Sequence, residues 1–238
     1  MIEIKEADLE KYALTCVDAA DIYLREAVNS KVFVIDSLRG AHPFNDLISY
    51  ILNKKNLNDI INYPFPTSGF LYERKKLISQ MLYSLFKYHS ENKFGKFIFL
   101  DTMITGSSLR GFKHLLSGYI REYANVSNNY SIEFIIIGIK ENGDYINQYY
   151  EKKIKLKNDN NFLLKHYFLN TGKIISEDIP ELLGLDYPYK CGNGIKLPIF
   201  KSVNSHEALK VGSRKYVPEN TTYELFLRLT KEIINNYI

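Results

Sequence analysis

Residues 96–110, KFIFLDTMITGSSLR, contain the stretch that decides the fold. The apolar run Phe97–Leu100 predicts a strand buried on both faces, and a helical pattern follows from about residue 108 to 123. Between them lie Asp101 and a loop rich in Thr, Gly and Ser. In open α/β sheets, ligands bind beyond the carboxyl ends of strands, where helix N-termini and free backbone N–H groups favour anions. The stretch therefore predicts a binding site for a monophosphate.

Outward from this stretch, apolar strands alternate with helical patterns. The runs at residues 32–35 and 132–139 predict two further strands, and helical spacing of apolar residues covers about 5–29, 43–52 and 73–89. Such alternation is typical of an α/β fold, here a doubly wound and mostly parallel sheet.

The flanking segments carry weaker patterns. Residues 56–73 contain Pro64, Pro66 and Gly69, which favour an ordered loop or an edge hairpin. Residues 149–156 and 162–169 are candidate strands, 171–220 is irregular, and 222–237 predicts a helix. We predict a single domain over residues 1–238, with a core at about 30–145 and an irregular C-terminal elaboration, or hood, at about 146–238.

Composition sets the class of protein and excludes several others. The chain has 238 residues, 45% of them hydrophobic, which is enough for one core. No apolar run reaches the roughly 20 residues of a membrane-spanning helix, and the charged N-terminus predicts no export, so we expect a cytoplasmic protein without membrane contact. The net charge of +4 comes from lysines spread along the chain, which predicts a solvated surface and no nucleic-acid partner. Two distant cysteines and five histidines without metal spacing predict no zinc site.

A second polar loop follows the strand at residues 32–35. It has the sequence DSLRGA, residues 36–41. Gly40 lets backbone N–H groups face a diphosphate, and the guanidinium of Arg39 offers charge-assisted hydrogen bonds. Neither loop is a Walker A loop, because no Lys follows the glycine, and no G-x-G-x-x-G spacing occurs. The structural alternative for the loop after Leu100 is a helix cap with Asp101 closing a turn, and the alternative for Arg39 is a solvated arginine in a surface turn.

The two loops together resemble the phosphate-binding loops of class I phosphoribosyltransferases, in the same order along the chain. Asp101 matches the second acid of the family motif, while Leu100 stands where the first acid is expected. The resemblance implies that Asp101 holds ribose hydroxyls and that Arg39 holds pyrophosphate. It further implies substrate contacts from two loop sets: Ser37, Gly40 and Ala41 in the first, and Ile104, Thr105, Gly106, Ser107 and Ser108 in the second.

The resemblance implies an enzyme that transfers a phosphoribosyl group at the ribosyl C1 carbon. Its ligand would be phosphoribosyl pyrophosphate with Mg²⁺, or a nucleoside monophosphate. Asp36 is the nearest substitute for the missing acid, so we expect Asp101, Arg39 and Asp36 as catalytic residues and both aspartates as Mg²⁺ ligands. Residues 63–76 are a candidate mobile loop over the site.

Two other functions stay open at this point. The same fold is compatible with a sensor that binds a phosphoribosyl compound or nucleotide without turning it over. Residues 178–189 are more weakly similar to phosphoribosyltransferase-like domains of bacterial conflict and anti-phage systems, which would make the chain an effector in a defence or toxin–antitoxin assembly. A homodimer or a partner protein is compatible with all three functions.

Overall fold

The computed structural model describes residues 5–28, 32–38, 41–57, 60–66, 83, 96–102, 132–141, 162–172 and 221–238. These residues form three helices and five strands. The helices are α1 (Glu6–Ala27), α2 (His42–Lys54) and α3 (Thr221–Ile234). The strands are β1 (Val32–Leu38), β2 (Ile60–Pro66), β3 (Lys96–Thr102), β4 (Ile132–Glu141) and β5 (Phe162–Thr171).

All five strands are parallel and form one sheet in the order β2-β1-β3-β4-β5. The central register pairs Phe33 with Phe97 and Phe97 with Phe134. Because all strands run the same way, the loops that leave them on the carboxyl side gather at one edge of the sheet. The predicted α/β class with a parallel sheet is confirmed.

One face of the sheet is aliphatic and packs against all three helices. Successive strand residues point to opposite faces, so alternate residues of β1, β3 and β4 form this layer. They are Val32, Val34, Ile98, Leu100, Ile135, Ile137 and Ile139. Above them, the ring of Tyr12 in α1 stacks on Phe44 of α2 at 3.8 Å and meets Phe226 of α3 edge-on at 5.3 Å. The C-terminal helix therefore belongs to the same core as the strands.

The opposite face of the sheet carries mostly aromatic residues along the amino-terminal parts of β1, β3 and β4. Phe33, Ile35, Phe97, Phe99 and Phe134 are all fully buried there. The ring of Phe97 lies 5.7 Å from that of Phe33 and 4.9 Å from that of Phe134. The core cluster that contains the buried residues of the three described helices includes no residue of this aromatic layer.

Most of the predicted elements within the described residues are confirmed. The helix predicted at 5–29 is α1, the one at 43–52 is α2, and the one at 222–237 is α3. The predicted strands appear as β1, β3, β4 and β5, each extending a few residues further than the apolar run. Strong local periodicity explains this agreement.

The prediction of a loop or hairpin at residues 56–73 is wrong for residues 60–66. They form β2, a parallel strand beside β1. Proline lacks an N–H group and is confined to strand edges, which is why Pro64 and Pro66 argued against a strand. Among the described strands, however, β2 lies at one edge of the sheet, and its prolines are two residues apart. The alternate positions, including Tyr63 and Phe65, can therefore supply the N–H groups that pair with β1.

Several predicted segments lie outside the described residues. They are the helices at about 73–89 (apart from residue 83) and 108–123, the candidate strand at 149–156, and nearly all of the irregular stretch 171–220. The extent of the C-terminal elaboration thus stays a prediction. Within the described part of the chain, no helix is both long and apolar enough to cross a membrane.

A partly buried ion-pair cluster joins the last turn of α1 to the amino ends of β3 and β4 and to the middle of β5. The Oε2 atom of Glu26 is 3.0 Å from Lys96 Nζ and 3.1 Å from Lys165 Nζ, and its Oε1 atom accepts a 2.7 Å hydrogen bond from the Tyr167 hydroxyl. Glu133 lies 2.6 Å from Lys165 Nζ. Two carboxylates and two ammonium groups balance in charge, and they tie α1 to β3, β4 and β5.

This cluster predicts a stability change in acid. Burial alone would raise the pKa of Glu26, but hydrogen bonds from Tyr167, Lys96 and Lys165 outweigh it and lower that pKa from 4.5 to about 2. Since the pKa is lower in the folded state, the stabilisation is complete above pH 4.5 and is lost as the pH falls toward 2. Between about pH 6 and pH 2, we expect wild type to lose about 3 kcal/mol more unfolding free energy than Glu26→Gln. Urea denaturation at each pH measures the difference, and a flat difference would contradict the prediction.

Candidate functional site

The strand order reverses between β1 and β3. From β1 the chain moves to β2 on one side and then returns to β3 on the other side. In open parallel sheets, the crevice at such a switch point, beyond the carboxyl ends of the strands, is where ligands bind. The two loops predicted to bind phosphate are the ones that follow β1 and β3. The carboxyl ends of β1 and β3, which the two predicted loops follow in sequence, therefore lie at the usual ligand position of such a sheet.

Two predicted acidic residues lie near this edge, on neighbouring strands. Asp101 is the sixth residue of β3, and Asp36 is the fifth residue of β1. The Cα of Asp36 is the register partner of Leu100, so the two aspartates are one position apart on strands about 4.8 Å apart. Asp101 is only 4% exposed. Both residues are therefore near the switch point, but Asp36 shares the row of Leu100 and Asp101 stands in the next row, on the opposite face of the sheet. The expectation that Asp36 replaces the missing acid beside Asp101 is not met by this register.

The side chain of Asp101 lies on the aromatic face of the sheet. By strand alternation, Asp101 lies on the same face as Phe97 and Phe99. It comes next after these two large buried residues along β3, so a carboxylate stands where the pattern would continue with an apolar side chain. Its register partner on β4 is Gly138, so β4 contributes no side chain beside the carboxylate. Sequence analysis missed Gly138. The available signal was a lone glycine inside the isoleucine run of residues 135–139.

Leu100 points to the other face and is fully buried in the core against the helices. An acid at this position would place a carboxylate among Val34, Ile98 and Ile137. Burying an unpaired charge there would cost several kcal/mol. The departure from the family motif at Leu100 is therefore part of the core packing in this chain.

Helix α2 begins at the same edge, directly after the first predicted loop. Ala41 occupies its N-cap position, is fully buried and offers no polar side chain to the first turn. The Ala41 carbonyl accepts a 2.9 Å hydrogen bond from Asn45 N. The first N–H groups of α2 consequently lack a side-chain cap from Ala41, a condition under which an anion stabilises a helix N-terminus.

A contact between α2 and α3 braces this helix start. His42 is 3% exposed, and its Nε2 atom lies 3.7 Å from Asp46 Oδ2. The same Asp46 oxygen accepts a 2.7 Å hydrogen bond from the Tyr223 hydroxyl, and the Tyr223 ring lies nearly parallel to that of His42 at 6.5 Å. The first turn of the C-terminal helix is therefore joined to the first turn of α2, next to the predicted pyrophosphate loop.

The remaining predicted site residues are described in part or not at all. Ser37 is placed by its backbone in β1, next to Asp36. Arg39 and Gly40 of the first loop lie outside the described residues, as do Ile104, Thr105, Gly106, Ser107 and Ser108 of the second. Residues 178–189 lie outside them too, and so does most of the candidate mobile loop, whose residues 63–66 belong to β2.

Comparisons with known proteins leave the function to be argued from the chain itself. No protein-family model, curated protein or solved structure matches it. The resemblance to phosphoribosyltransferases consequently rests on the motifs quoted above, and the activity it implies is a proposal.

Proposed function

We propose that the protein binds phosphoribosyl pyrophosphate or a nucleoside monophosphate in the crevice beyond the carboxyl ends of β1 and β3. One observation carries the proposal. The switch point of the sheet falls between the two strands that precede the phosphate-suited loops. The strand order is a long-range property that the motifs themselves do not contain, so it supports the proposal independently of the resemblance.

The residues at this edge suit the separate parts of such a ligand. The Asp101 carboxylate accepts hydrogen bonds from ribose hydroxyls, because an ionised carboxylate is an acceptor only. Arg39, Ser37, Gly40 and Ala41 take the pyrophosphate, helped by the N-terminus of α2. The loop of residues 104–108 takes the 5′-phosphate with backbone N–H groups and hydroxyls.

Asp101 at the switch point fits a magnesium ion that accompanies the phosphates. Among the described residues, no three His, Cys, Asp or Glu side chains form a group that could hold a metal by itself. Mg²⁺ at phosphate sites usually takes only one or two carboxylates, with substrate oxygens and water as its other ligands. Asp101 supplies one carboxylate, whereas the register places Asp36 in the row of Leu100, on the other face of the sheet, so Asp36 is not proposed as a second ligand. When bound, Mg²⁺ would neutralise phosphate charge.

The activity we propose is transfer or hydrolysis at the ribosyl C1 carbon, a pentosyltransferase reaction. The bond from C1 to the departing pyrophosphate breaks, and a nucleobase or water donates the pair of electrons for the new bond. The residues of this chain contribute by holding the developing charges in place. Arg39 and the α2 N-terminus stabilise the pyrophosphate, while Asp101 faces the sugar.

A sensor without turnover is the second candidate, and Leu100 is the observation that favours it. The family places a carboxylate at this position, whereas here a fully buried leucine packs against the helices. Loss of one sugar-binding acid lowers catalytic stabilisation more than it lowers phosphate binding. A ligand-binding effector subunit would therefore keep the loops and dispense with this acid.

Calorimetry followed by an activity assay tests the proposal. Titration with phosphoribosyl pyrophosphate or a nucleoside monophosphate, with and without Mg²⁺, should release or absorb heat at one site per chain. The absence of heat with both ligand classes would overturn the proposal. Release of pyrophosphate in the presence of a panel of nucleobases, or without one, would then identify the enzyme, and binding without release would identify the sensor.

We expect the two loops to have separable roles. Arg39→Ala should weaken ligands that carry pyrophosphate by about 1.5 to 3 kcal/mol, or roughly 10- to 100-fold, because charge-assisted hydrogen bonds are lost. Monophosphate affinity should stay nearly unchanged. Thr105→Val, in the loop common to both ligands, should weaken both. If calorimetry found equal losses for both ligand classes in Arg39→Ala, pyrophosphate would not be bound by residues 36–41.

A further inference from the structure

A stripe of exposed residues with regular spacing runs along helix α1. Its members are Leu14, Asp18, Asp21, Arg25 and Val28, which follow one another at intervals of three or four positions and therefore share one face of the helix. Leu14 is 38% exposed, and Val28, just beyond the end of the helix, is 62% exposed. The stripe thus carries apolar side chains at its two ends and charged side chains between them.

The exposed stripe borders the outer edge of the sheet. Asp18, Asp21 and Arg25 line a groove of about 570 Å³, and residues 167–169 of β5 line it as well. Among the described strands, β5 pairs with β4 on one side and has no neighbour on the other. The backbone N–H and C=O groups along such an edge are a template for pairing with another strand. The groove therefore joins an open strand edge to the exposed stripe.

Helix α1 and strand β5 run in opposite directions beside this groove. At one end, the Tyr167 hydroxyl donates a 2.7 Å hydrogen bond to Glu26. At the other end, the Thr15 hydroxyl donates a 3.2 Å hydrogen bond to the Asn170 carbonyl. Asp21, the middle residue of the exposed stripe, lies between these two contacts. A single two-fold axis here would set both α1 and β5 antiparallel to their copies in a second molecule.

The order of side chains along the exposed stripe is complementary to itself. When two copies are placed antiparallel about Asp21, Asp18 of each copy lies opposite Arg25 of the other, and the apolar ends also meet. The Asp21 carboxylate near the axis is paired with Lys55 of its own chain, at 3.5 Å. Opposite charges and apolar groups therefore match between two copies without any rearrangement of the helix.

We infer that a second copy of this chain occupies the groove and forms a symmetric dimer. In it, α1 lies antiparallel to the α1 of the second copy, and the open edge of β5 pairs with the same edge of the second copy. The two five-stranded sheets then form one continuous sheet, which covers both edges. The inference does not depend on the proposed function. An unrelated peptide at the β5 edge would instead leave the purified chain monomeric.

Sedimentation analysis of the full-length chain over about 1 to 100 μM tests the dimer, because mass action raises the dimer fraction with concentration. Asp18→Arg and Arg25→Asp each set like charges opposite one another across the interface. An equimolar mixture of the two variants restores opposite charges, but only between different chains. Val28→Lys tests an apolar end of the exposed stripe, and Leu225→Lys, at a 45% exposed leucine of α3, is its matched control. Thermal unfolding shows that each variant is folded.

We expect wild type to dimerise in this range and each charge reversal to raise the dimer Kd at least about 10-fold, because opposed like charges destabilise an interface. The mixture should return to within about threefold of the wild-type Kd. Val28→Lys should weaken the dimer, whereas Leu225→Lys should not. Hydrogen exchange of the β5 amides should be slower at the higher concentration, because strand pairing protects them.

Three results would overturn the inference. The first is a wild-type chain that stays monomeric over the whole range. The second is a dimer whose Kd neither charge reversal changes, because the copies would then meet at a different surface. The third is a mixture of the two folded variants that dimerises no better than each variant alone, which would exclude the pairing of Asp18 with Arg25 of the second copy.

Discussion

Asp101→Asn is expected to reduce the affinity for phosphoribosyl pyrophosphate and for nucleoside monophosphates by at least about 100-fold. The carboxylate can accept hydrogen bonds from two ribose hydroxyls, and a hydrogen bond to a charged group contributes about 1.5 to 3 kcal/mol. Asparagine keeps the size of the side chain but removes the charge and presents an N–H donor to one hydroxyl. Asp101 is 4% exposed, so water replaces the lost acceptor only in part.

Calorimetry with Mg²⁺ measures this loss, and Asp21→Asn serves as its control. Asp21 lies on α1 with a half-exposed side chain and only a 3.5 Å ion pair to Lys55. The control variant should bind as wild type does. Inorganic pyrophosphate, which has no ribose, reports whether the phosphate loops of Asp101→Asn are intact. A change of less than about threefold in ribose-ligand affinity would remove Asp101 from the sugar site.

Glu26→Ala is expected to lower the free energy of unfolding by about 3 to 5 kcal/mol. The substitution leaves Lys96 of β3 and Lys165 of β5 with Glu133 as their remaining acidic partner in the cluster. It also removes the acceptor of the Tyr167 hydroxyl. Breaking a buried ion pair from one side costs this much because it leaves an uncompensated charge behind.

Chemical denaturation at neutral pH measures the loss, with Asp21→Ala as the matched control. The Asp21–Lys55 pair is 3.5 Å long, and both of its side chains are at least one-third exposed, so its removal should cost at most about 1 kcal/mol. Equal costs for Glu26→Ala and Asp21→Ala would mean that solvent screens the Glu26 cluster as it screens a surface pair. Ligand affinity should not change in Glu26→Ala, because the cluster lies at the opposite edge of the sheet from Asp101.

The elements that sequence analysis predicted well are those whose signal lies in consecutive residues. The runs Val32–Ile35 and Phe97–Leu100 are too short and too branched for helices, and both are strands. Apolar spacing from Leu9 to Leu24 likewise predicts α1. Residues 60–66 were not predicted as a strand, because their prolines disfavour one. In the structure β2 pairs with β1 along one side only, and the prolines are tolerated there.

Some features of the candidate site could likewise be predicted from consecutive residues, and others could not. Asp36 and Asp101 were predicted as candidates from sequence, since each directly follows an apolar run that predicts a buried strand, but only the register shows that they stand in rows on opposite faces of the sheet. The pairing of Gly138 with Asp101 was not predicted, because the two residues are 37 positions apart in the chain and meet only through the register of β3 and β4. The brace formed by His42, Asp46 and Tyr223 joins residues still further apart. Residues so far apart in the chain cannot be recognised as partners from a short stretch of sequence.

By itself, the sequence determined the types of most described elements, the burial of the apolar runs in β1, β3 and β4, and the two loops that suit phosphates, because hydrophobic period and turn chemistry act over a few residues. The tertiary structure alone decided that the strand order reverses between β1 and β3 and that Gly138 lies beside Asp101. It also decided that Leu100 packs into the helix side of the core and that Glu26 gathers two lysines and a tyrosine. These outcomes depend on strand register and on the choice of neighbours, which are set by the packing of the whole chain, since shifting a strand by one residue would exchange its two faces.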